Sequence, residues 1–337
     1  MANLTTSYMG IKLKNPVIIG ASNIVNKIDN VKKAEEAGAA AIVYKSLFEE
    51  QIQLENAQLD DKLTEYSERN AEMINLFPKI EHAGPEEHLF NLALVKKSVN
   101  IPVIASLNAI YKDTWISYAK QIADMGVDGL ELNFYAVPRD IEFDGHTIIE
   151  QQIDILKAVK QQVKIPVSVK LSPFYANPLH VISKLDKSGA NGFVLFNRLF
   201  QPEIDVDKEV HYTPFNLSSP EDNRLPLRFA GLLYGNVKGS ICSNTGIYTG
   251  KDVVKMILAG ADCVQVVSTV YKNKIDYIPT IIRDIENWMD SKNYKTLDDF
   301  RGKLSNKSIN DPFVYKRAQY IDLLLKSDDI IVKHPLR

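Results

Sequence analysis

Two lysines occupy positions where a charged side chain is difficult to accommodate. Lys45 ends the apolar run AIVYK, and Lys170 lies inside VSVKLS, which is otherwise apolar or small. A buried ammonium group is costly unless it meets an anion or gives up its charge. Such a lysine could face a reduced, anionic flavin ring, bind a substrate carboxylate or form a Schiff base. The remaining alternative is that each side chain extends along apolar surface and reaches a carboxylate with its charged end.

Polar residues also follow the other apolar runs of the chain, in matching positions. They are Ser22, Lys45 with Ser46, Asn108, Asn133, Lys170 with Ser172, Asn197, Asn244 with Thr245 and Gly246, and Ser268 with Thr269. Any one of them could simply close a turn or cap a helix. Their recurrence after successive strands favours a shared site at one end of a parallel sheet.

The last two of these positions have the chemistry of a phosphate site. SNTGIYTGKDV places a glycine turn ahead of a helix, and VQVVSTVYKNK places two hydroxyls after the final apolar run. Backbone N–H groups in the loops after strands seven and eight of a (β/α) barrel commonly bind phosphate. We therefore predict that these two loops hold the phosphate of a cofactor.

The elements that must position these residues form a repeating pattern. Eight apolar runs span residues 15–21, 39–44, 101–107, 127–133, 165–171, 191–196, 238–243 and 261–267. Helical patterns lie between them, and four of these end in a glycine shortly before the next run, as in ADMGVDGLELN. Alternation of strands and helices favours parallel pairing. Eight units favour a closed α/β (β/α)8 TIM barrel over an open doubly wound sheet.

We predict that the barrel occupies residues 1–305 and that residues 306–337 form a C-terminal extension packed on the barrel or on a partner subunit. Two long connections interrupt the rhythm, at about 47–88 and 198–225. They follow the second and sixth strands, and they therefore belong to the face on which barrel enzymes carry their chemistry. Long structured loops at that face usually form lids or substrate walls.

Bulk composition narrows the classes of function. Lys and Arg total 40 against 42 Asp and Glu, a net charge of −2, so no basic excess indicates nucleic acid. The two cysteines, Cys242 and Cys263, lie in apolar runs and indicate buried thiols rather than a disulfide scaffold. No secretion signal or membrane span is visible, which favours a cytoplasmic protein. No histidine pair has a metal-ligand spacing, and we expect no catalytic metal.

The chain resembles the dihydroorotate dehydrogenase family, and within it the cytosolic class 1 enzymes that contain FMN. The resemblance covers residues 5–305 and is carried by LKNPVIIGAS, VYKS, LELN, VKLSPF, SNTGIYTGKDVVKMILAGADCVQVVSTVYK and KNYKTLDDFRGKL. It implies FMN bound at Ala21, Ser22, Lys45, Asn133, Lys170, Asn197, Thr245, Gly246, Ser268 and Thr269. To these the strand-end positions add Ser46, Asn108 and Asn244. It also implies that Lys170 lies beside the N1–C2=O edge of the flavin, and that the protein is a homodimer acting on a small molecule.

The departures from the family fall on the substrate side. Class 1 enzymes carry N-L-S-C-P-N after the fourth strand, and its cysteine removes a proton from C5 of dihydroorotate. Here the stretch is NFYAVP, and Ala136 occupies the position of the base. The family's S-M-G-L-P-N segment becomes Asn75 followed by LFPK, and Arg198 follows Asn197 where a small hydroxyl residue is usual. The predicted substrate-binding residues are Asn75, Asn133, Asn197 and Arg198.

Three residues are predicted to be catalytic: Lys45, Lys170 and Tyr135, the last being the nearest possible replacement for the missing base. A phenol is a poor base at neutral pH but an adequate acid, which favours reduction of an activated C=C bond with Tyr135 as proton donor. Tyr175, His82 and His88 are weaker candidates. The leading interpretation is an FMN oxidoreductase acting on dihydroorotate or a related cyclic acid. The alternatives are an ene-reductase of another substrate, a Schiff-base lyase and a flavin-binding protein without catalysis.

Overall fold

The structure of the protein is a computed structural model, and it describes residues 2–53, 85–134, 141–142, 144–198, 201–310, 314–316 and 318–325. Within these ranges the fold is a closed barrel of eight parallel strands surrounded by helices. The predicted (β/α)8 architecture is confirmed, and each of the eight apolar runs overlaps one barrel strand.

The barrel strands follow two short strands near the N-terminus, β1 (Thr6–Tyr8) and β2 (Ile11–Leu13). In chain order the barrel consists of β3 (Val17–Ile19), β4 (Ala41–Val43), β6 (Val103–Asn108), β7 (Gly129–Asn133), β8 (Val167–Leu171), β9 (Gly192–Leu195), β12 (Ser240–Asn244) and β13 (Cys263–Val266). Pairing of β3 with β13 and of β4 with β6 closes the sheet. The two-residue strand β5 (Leu47–Phe48) extends β6 at its carboxyl end.

Helices pack around the strands and supply the outer layer. They are α1 (Ile28–Glu36), α2 (Pro85–Ser98), α3 (Lys112–Asp124), α4 (Gly145–Gln162), α5 (Pro178–Lys187), α6 (Arg224–Leu233), α7 (Gly250–Ala259), α8 (Ser268–Asn273), α9 (Ile278–Ser291) and α10 (Ala318–Leu325). Local sequence explains several boundaries. Helix α7, for example, begins at a capping box formed by Thr249 and Asp252 and ends at Gly260, whose φ of 126° suits a residue without a Cβ.

The core has two parts, one on each side of the strands. The larger lies between strands and helices, while the smaller fills the barrel and includes Ile18, Val43 and Ile104. The antiparallel hairpin β1–β2 closes the barrel at the amino ends of its strands. There, a Cβ added to Gly192 would lie only 3.0 Å from side-chain atoms of Tyr8 and Met9, so the hairpin packs tightly against the strand ends.

The long connection after β9 contains a second hairpin, β10 (Glu203–Asp205) with β11 (Val210–Tyr212), and a 3-10 turn at Pro220–Asn223. Most of the connection at 47–88 lies outside the described residues. In the C-terminal segment, the Tyr315 hydroxyl donates to Leu304 O at 2.6 Å and the Tyr315 carbonyl accepts from Arg228 at 2.7 Å. The division of the chain at residue 305 stays a prediction. Among the described helices, none combines the length and the apolar character needed to cross a membrane.

Candidate active site

A cleft opens at the carboxyl ends of the barrel strands. Its lining includes eight of the residues predicted from the sequence: Ala21, Lys170, Asn197, Arg198, Asn244, Thr245, Gly246 and Ser268. It also includes residues that the sequence did not single out, among them Asn216, Ser218 and Gln265. The strand ends supply one wall and the loop after β9 supplies the other, so the cleft lies where barrel enzymes place their chemistry.

Three asparagines at this end of the barrel form a connected network. Asn197 donates from Nδ2 to Asn133 Oδ1 at 2.6 Å, and Asn108 donates from Nδ2 to the Asn133 carbonyl at 3.1 Å. Asn108 and Asn133 are 6% and 8% exposed. These bonds fix the orientation of the amide groups, because each side chain is held by a residue of a different part of the barrel mouth. The network gives the mouth a rigid set of polar groups between β6, β7 and β9.

Lys170 is the buried cation of the site. It lies on β8 opposite Asn133 of β7, and its Nζ is 3.9 Å from Glu131 Oε1. The Lys170 side chain is 8% exposed and that of Glu131 is fully buried. Glu131 Oε2 accepts a hydrogen bond of 2.6 Å from Gln265 Nε2 on β13. The Lys170 ammonium therefore lies at the border of the cleft, and the Glu131 carboxylate, deeper in the barrel, is its ion-pair partner.

The other predicted lysine has a different environment. Lys45 is half-buried after β4 and lies close enough to His88 of α2 to act on it electrostatically. Burial first, and then the Lys45 charge, lowers the pKa of His88 to about 4, so this imidazole is neutral at pH 7. The His88 ring packs edge-on against Tyr44, with ring centroids 5.1 Å apart. Among the described residues, His88 Nε2 has no hydrogen-bond partner.

The predicted serines at the first two strand ends differ in their partners. Ser46 Oγ lies 2.7 Å from Ser106 Oγ, so its hydroxyl is engaged inside the barrel. Ser22 Oγ is buried and has no hydrogen-bond partner among the described residues. A buried hydroxyl without a partner costs stability unless a ligand or water satisfies it. Ser22 thus remains available to a bound molecule, whereas Ser46 is already committed.

The predicted phosphate loops are held together by Ser218, which no sequence pattern indicated. Its backbone N–H and its hydroxyl both donate to Ser268 Oγ, at 3.0 and 2.8 Å, and its carbonyl accepts from the Tyr248 hydroxyl. Gly246 N–H donates to Ser218 Oγ at 3.2 Å. Ser218 therefore joins the loops after β9, β12 and β13 into one unit.

Thr245 and Gly246 form the turn at the end of β12. Both have positive φ, 76° and 72°, and Thr245 Oγ1 donates to Phe196 O at 3.0 Å. A Cβ on Gly246 would collide with the Asn223 backbone nitrogen and lie 2.8 Å from Ser219 O. The glycine is needed here for its conformation and for this close approach of two backbones.

Two predicted site residues are engaged away from the cleft centre. Thr269 is fully buried, its hydroxyl donates to Tyr248 O at 3.2 Å, and it does not line the cleft. Arg198 borders the cleft, but its guanidinium donates to Asp222 Oδ2 at 2.6 Å and to the Asn216 carbonyl at 3.1 Å. Its visible role is to fasten the loop after β9.

Of the remaining candidates, Tyr175 lies within the described residues. The Tyr175 hydroxyl donates to Gln152 Oε1 at 2.7 Å, and burial raises the pKa of this phenol to about 12. Such a group is poorly suited to exchange protons near neutral pH. The predictions for Tyr135, Ala136, Asn75 and His82 lie outside the described residues. Within the described ranges, no group of three or more His, Cys, Asp or Glu side chains could hold a metal ion.

Sequence reasoning missed Glu131 and Gln265, which lie in the interior below the mouth. A partial signal was present, because Glu131 and Asn133 alternate in LELN, as do Cys263 and Gln265 in CVQV. Alternate residues of a barrel strand point inward, so each of these strands had to carry its polar side chain into the barrel. Ser218 carried no comparable signal, since it lies in an irregular loop.

Comparison with known proteins gives a consistent result. A family model described as dihydroorotate dehydrogenase matches residues 3–289. The chain is 27% identical over 312 residues to the "Dihydroorotate dehydrogenase B (NAD(+)), catalytic subunit" of Thermoplasma volcanium, with 90% of this chain and 98% of that protein covered. The protein of the same name from Methanocaldococcus jannaschii is 28% identical over 309 residues, covering 89% and 97% of the two chains.

Proposed function

The chain belongs to the dihydroorotate dehydrogenase family, and we propose that it is an FMN-dependent oxidoreductase that acts on the CH–CH bond of dihydroorotate or a related cyclic acid. The observation that carries this proposal is the buried Lys170 ammonium at the border of the cleft, among the polar residues that the family pattern assigns to FMN. The relatives named above are called dihydroorotate dehydrogenases, which supports the same substrate class.

The residues present fit FMN on three counts. Lys170 offers a desolvated cation to a ring that becomes anionic when reduced. Ser22 Oγ and Gln265 Oε1 are buried polar atoms without partners among the described residues, and Gln265 lines the cleft. Ser268 and the turn at Gly246 supply small, polar loops after the last two strands, where this fold binds phosphate.

When bound, FMN supplies a two-electron acceptor for a hydride from the substrate. The chain's own residues would do the rest. Lys170 would stabilise negative charge at the flavin edge next to it, and Asn133 and Asn197, fixed by their mutual hydrogen bond, would orient the substrate. Lys45, which follows β4, would bind a substrate carboxylate on that side of the mouth. The loop fastened by Arg198 would exclude water.

The chain differs from the family's class 1 enzymes in the residue that would remove the substrate proton. Oxidation of dihydroorotate also needs a base, and the family's cysteine position carries Ala136. Loss of a general base costs about 10²–10⁴ in rate. We therefore propose that dihydroorotate reduces the flavin slowly, and that Tyr135 as proton donor favours the opposite direction, reduction of an activated C=C bond.

A Schiff-base role for Lys170 is less well supported. A nucleophilic amine must be uncharged, whereas Lys170 Nζ is the cationic partner of an ion pair with the buried Glu131 carboxylate, 3.9 Å away. Borohydride in the presence of a keto acid would trap a Schiff base as a stable mass increase on Lys170. We expect no such increase.

The test of the proposed function is anaerobic mixing of the FMN-loaded protein with dihydroorotate, followed by flavin absorbance. We expect slow bleaching in the natural protein and bleaching about 10²-fold faster or more in Ala136→Cys, which restores the base. Ala136→Ser, of similar size but without a comparable base, is the matched control. If dihydroorotate bleaches neither the natural protein nor Ala136→Cys, the substrate assignment is wrong. Retained ene-reduction in Tyr135→Phe would remove the proton-donor role.

We also propose that the protein works in the cytoplasm as a homodimer and binds neither nucleic acid nor membrane. The exposed apolar side chains Ile204, Val210 and Tyr212 of the β10–β11 hairpin support a protein contact there. Light scattering coupled to gel filtration would measure the assembly. A mass of about 38 kDa at micromolar concentration would contradict the dimer.

A further inference from the structure

The buried Glu131 carboxylate below the mouth is not among the residues that the proposed function assigns to FMN or to the substrate. Glu131 lies on β7, two residues before Asn133, and its side chain has no solvent exposure. A charged carboxylate inside a barrel is costly unless it is paired and hydrogen-bonded. Its ion-pair partner in the described structure is Lys170, at 3.9 Å, which is beyond hydrogen-bonding distance. The two charges thus face each other across a short gap at the border of the cleft.

The position of the carboxylate is set from the opposite side of the barrel. Gln265 Nε2 donates to Glu131 Oε2 at 2.6 Å, so one oxygen is fixed while Oε1, the one nearest Lys170, has no hydrogen-bond partner among the described residues. The Gln265 amide lies against Gly20, where an added Cβ would come within 3.1 Å of Gln265 Oε1. Chain packing around Gly20 and Gln265 therefore holds the carboxylate in place independently of Lys170.

We propose that Glu131 is a positioning residue that holds the Lys170 ammonium at the floor of the cleft and offsets part of its charge. This inference rests on the proposed FMN site and deepens it. With Glu131 in place, the floor of the site carries a paired charge rather than a bare cation. The pair would tune how strongly the site prefers reduced, anionic FMN over oxidised, neutral FMN.

The proposal predicts opposite effects for the two partners. Removing the carboxylate in Glu131→Gln leaves the ammonium uncompensated, so reduced FMN should gain affinity relative to oxidised FMN and the reduction potential should rise. Removing the cation in Lys170→Met should lower the potential. A merely structural role would not give this pattern, because loosening the site would move both variants in the same direction, toward free FMN.

The experiment measures the two-electron potential of bound FMN against a reference dye, and the dissociation constant of oxidised FMN. For Glu131→Gln we expect about a tenfold gain in the affinity ratio of reduced to oxidised FMN, which corresponds to a rise of about 30 mV. Glu131→Asp keeps the charge and should return the ratio to within about threefold of the natural protein. Both substitutions keep a group that can accept the Gln265 hydrogen bond, and a thermal melt checks that the variants fold.

A double-variant comparison tests whether Glu131 acts through Lys170. In the Lys170→Met background no ammonium remains for Glu131 to hold in position. Adding Glu131→Gln to Lys170→Met should therefore leave the affinity ratio of reduced to oxidised FMN within about twofold of the ratio for Lys170→Met alone. Folded Glu131→Gln that binds FMN with an unchanged or lowered potential would overturn the inference. Absence of FMN binding by the natural protein would instead overturn the proposed function, so the two failures are distinguishable.

Discussion

The two ends of the barrel interior differ in their chemistry. At the mouth and just below it, the inward-facing residues include a cation, a carboxylate and an amide, namely Lys170, Glu131 and Gln265. At the base, the interior is filled by Tyr8, Cys242 and Cys263 among aliphatic side chains. Burial raises the pKa values of Tyr8 and Cys263 well above their usual range, so these groups are neutral at physiological pH. Polar atoms are therefore present at both ends, and of these interior side chains the two charged ones, Lys170 and Glu131, belong to the mouth end.

The two ends also differ in whether a ligand could reach a buried polar atom that lacks a hydrogen-bond partner. The Tyr8 hydroxyl and Glu131 Oε1 both lack hydrogen-bond partners among the described residues. At the base, Tyr8 lies on β1 of the closing hairpin and is fully buried, and it is not among the residues that line the cleft at the mouth. At the mouth, Lys170 and Gln265 line a cleft. An unpaired polar atom is therefore informative about a ligand only where a ligand can arrive.

The largest expected effect separates Lys170, which is buried at the mouth, from Lys160, which is half-buried near the amino ends of the strands. Lys170→Met removes the cation at the mouth and should slow flavin reduction by substrate about 10³-fold, the usual scale for loss of one electrostatic stabiliser. The matched control is Lys160→Met, which removes a 2.7 Å hydrogen bond to Asn191 near the amino ends of the strands. This control should cost about 1 kcal/mol of stability and leave the rate unchanged. Stopped-flow absorbance measures both variants, and equal losses of rate would remove the distinction between the two ends.

The next effect concerns the pH dependence of stability. The pKa of His88 is lowered to about 4, chiefly by burial and then by Lys45. The fold therefore favours the neutral ring, and this contribution is present above about pH 6.5 and lost as the pH falls toward 4. At about 1.4 kcal/mol per pKa unit it amounts to about 3 kcal/mol. His88→Phe should lose that much less stability than the natural protein between pH 7 and pH 4 in urea unfolding.

The control for the pH experiment is His146, which is exposed and close to Glu150 at the start of α4. His146→Phe should retain the full acid sensitivity of the natural protein. If His88→Phe and the natural protein lose stability in parallel as the pH falls, burial does not lower the pKa of His88 in the folded protein.

A smaller loss of stability is expected when either of two glycines with positive φ is replaced by alanine. Gly246→Ala at the mouth combines a φ of 72° with collisions against the Asn223 and Ser219 backbone, and Gly126→Ala at the base has a φ of 75° with nothing within 4 Å. Backbone strain alone costs about 1–2 kcal/mol. We expect about that loss of unfolding free energy for Gly126→Ala and about 2 kcal/mol more for Gly246→Ala. Only the mouth variant should weaken FMN binding, as followed by fluorescence quenching.

The smallest expected effect is at the base. Tyr8→Phe deletes a buried hydroxyl that has no hydrogen-bond partner among the described residues. Replacing an unsatisfied polar group by an apolar one of the same shape is close to neutral. Stability should change by less than about 1 kcal/mol, and the flavin absorption spectrum should stay as it is. A spectral shift would mean that the base of the barrel communicates with the cofactor.

The sequence predicted the barrel well because strand periodicity and helix-ending glycines are local signals. Eight of the predicted site residues line the cleft for the same reason, since the end of a strand can be read from the end of its apolar run. Two features could not be predicted this way. The Glu131–Lys170 pair depends on the register between neighbouring strands, and the bonds from Ser218 to Ser268 join residues 50 positions apart. Such contacts are set by the closed barrel and not by nearby residues.

The most direct test of the account is a titration of the FMN-free natural protein with oxidised FMN, followed by quenching of flavin fluorescence. We expect one FMN to bind per chain with a dissociation constant of about 1 μM or tighter, near −8 kcal/mol of binding free energy. No quenching at concentrations up to about 1 mM, where the binding free energy would be weaker than about −4 kcal/mol, would contradict it.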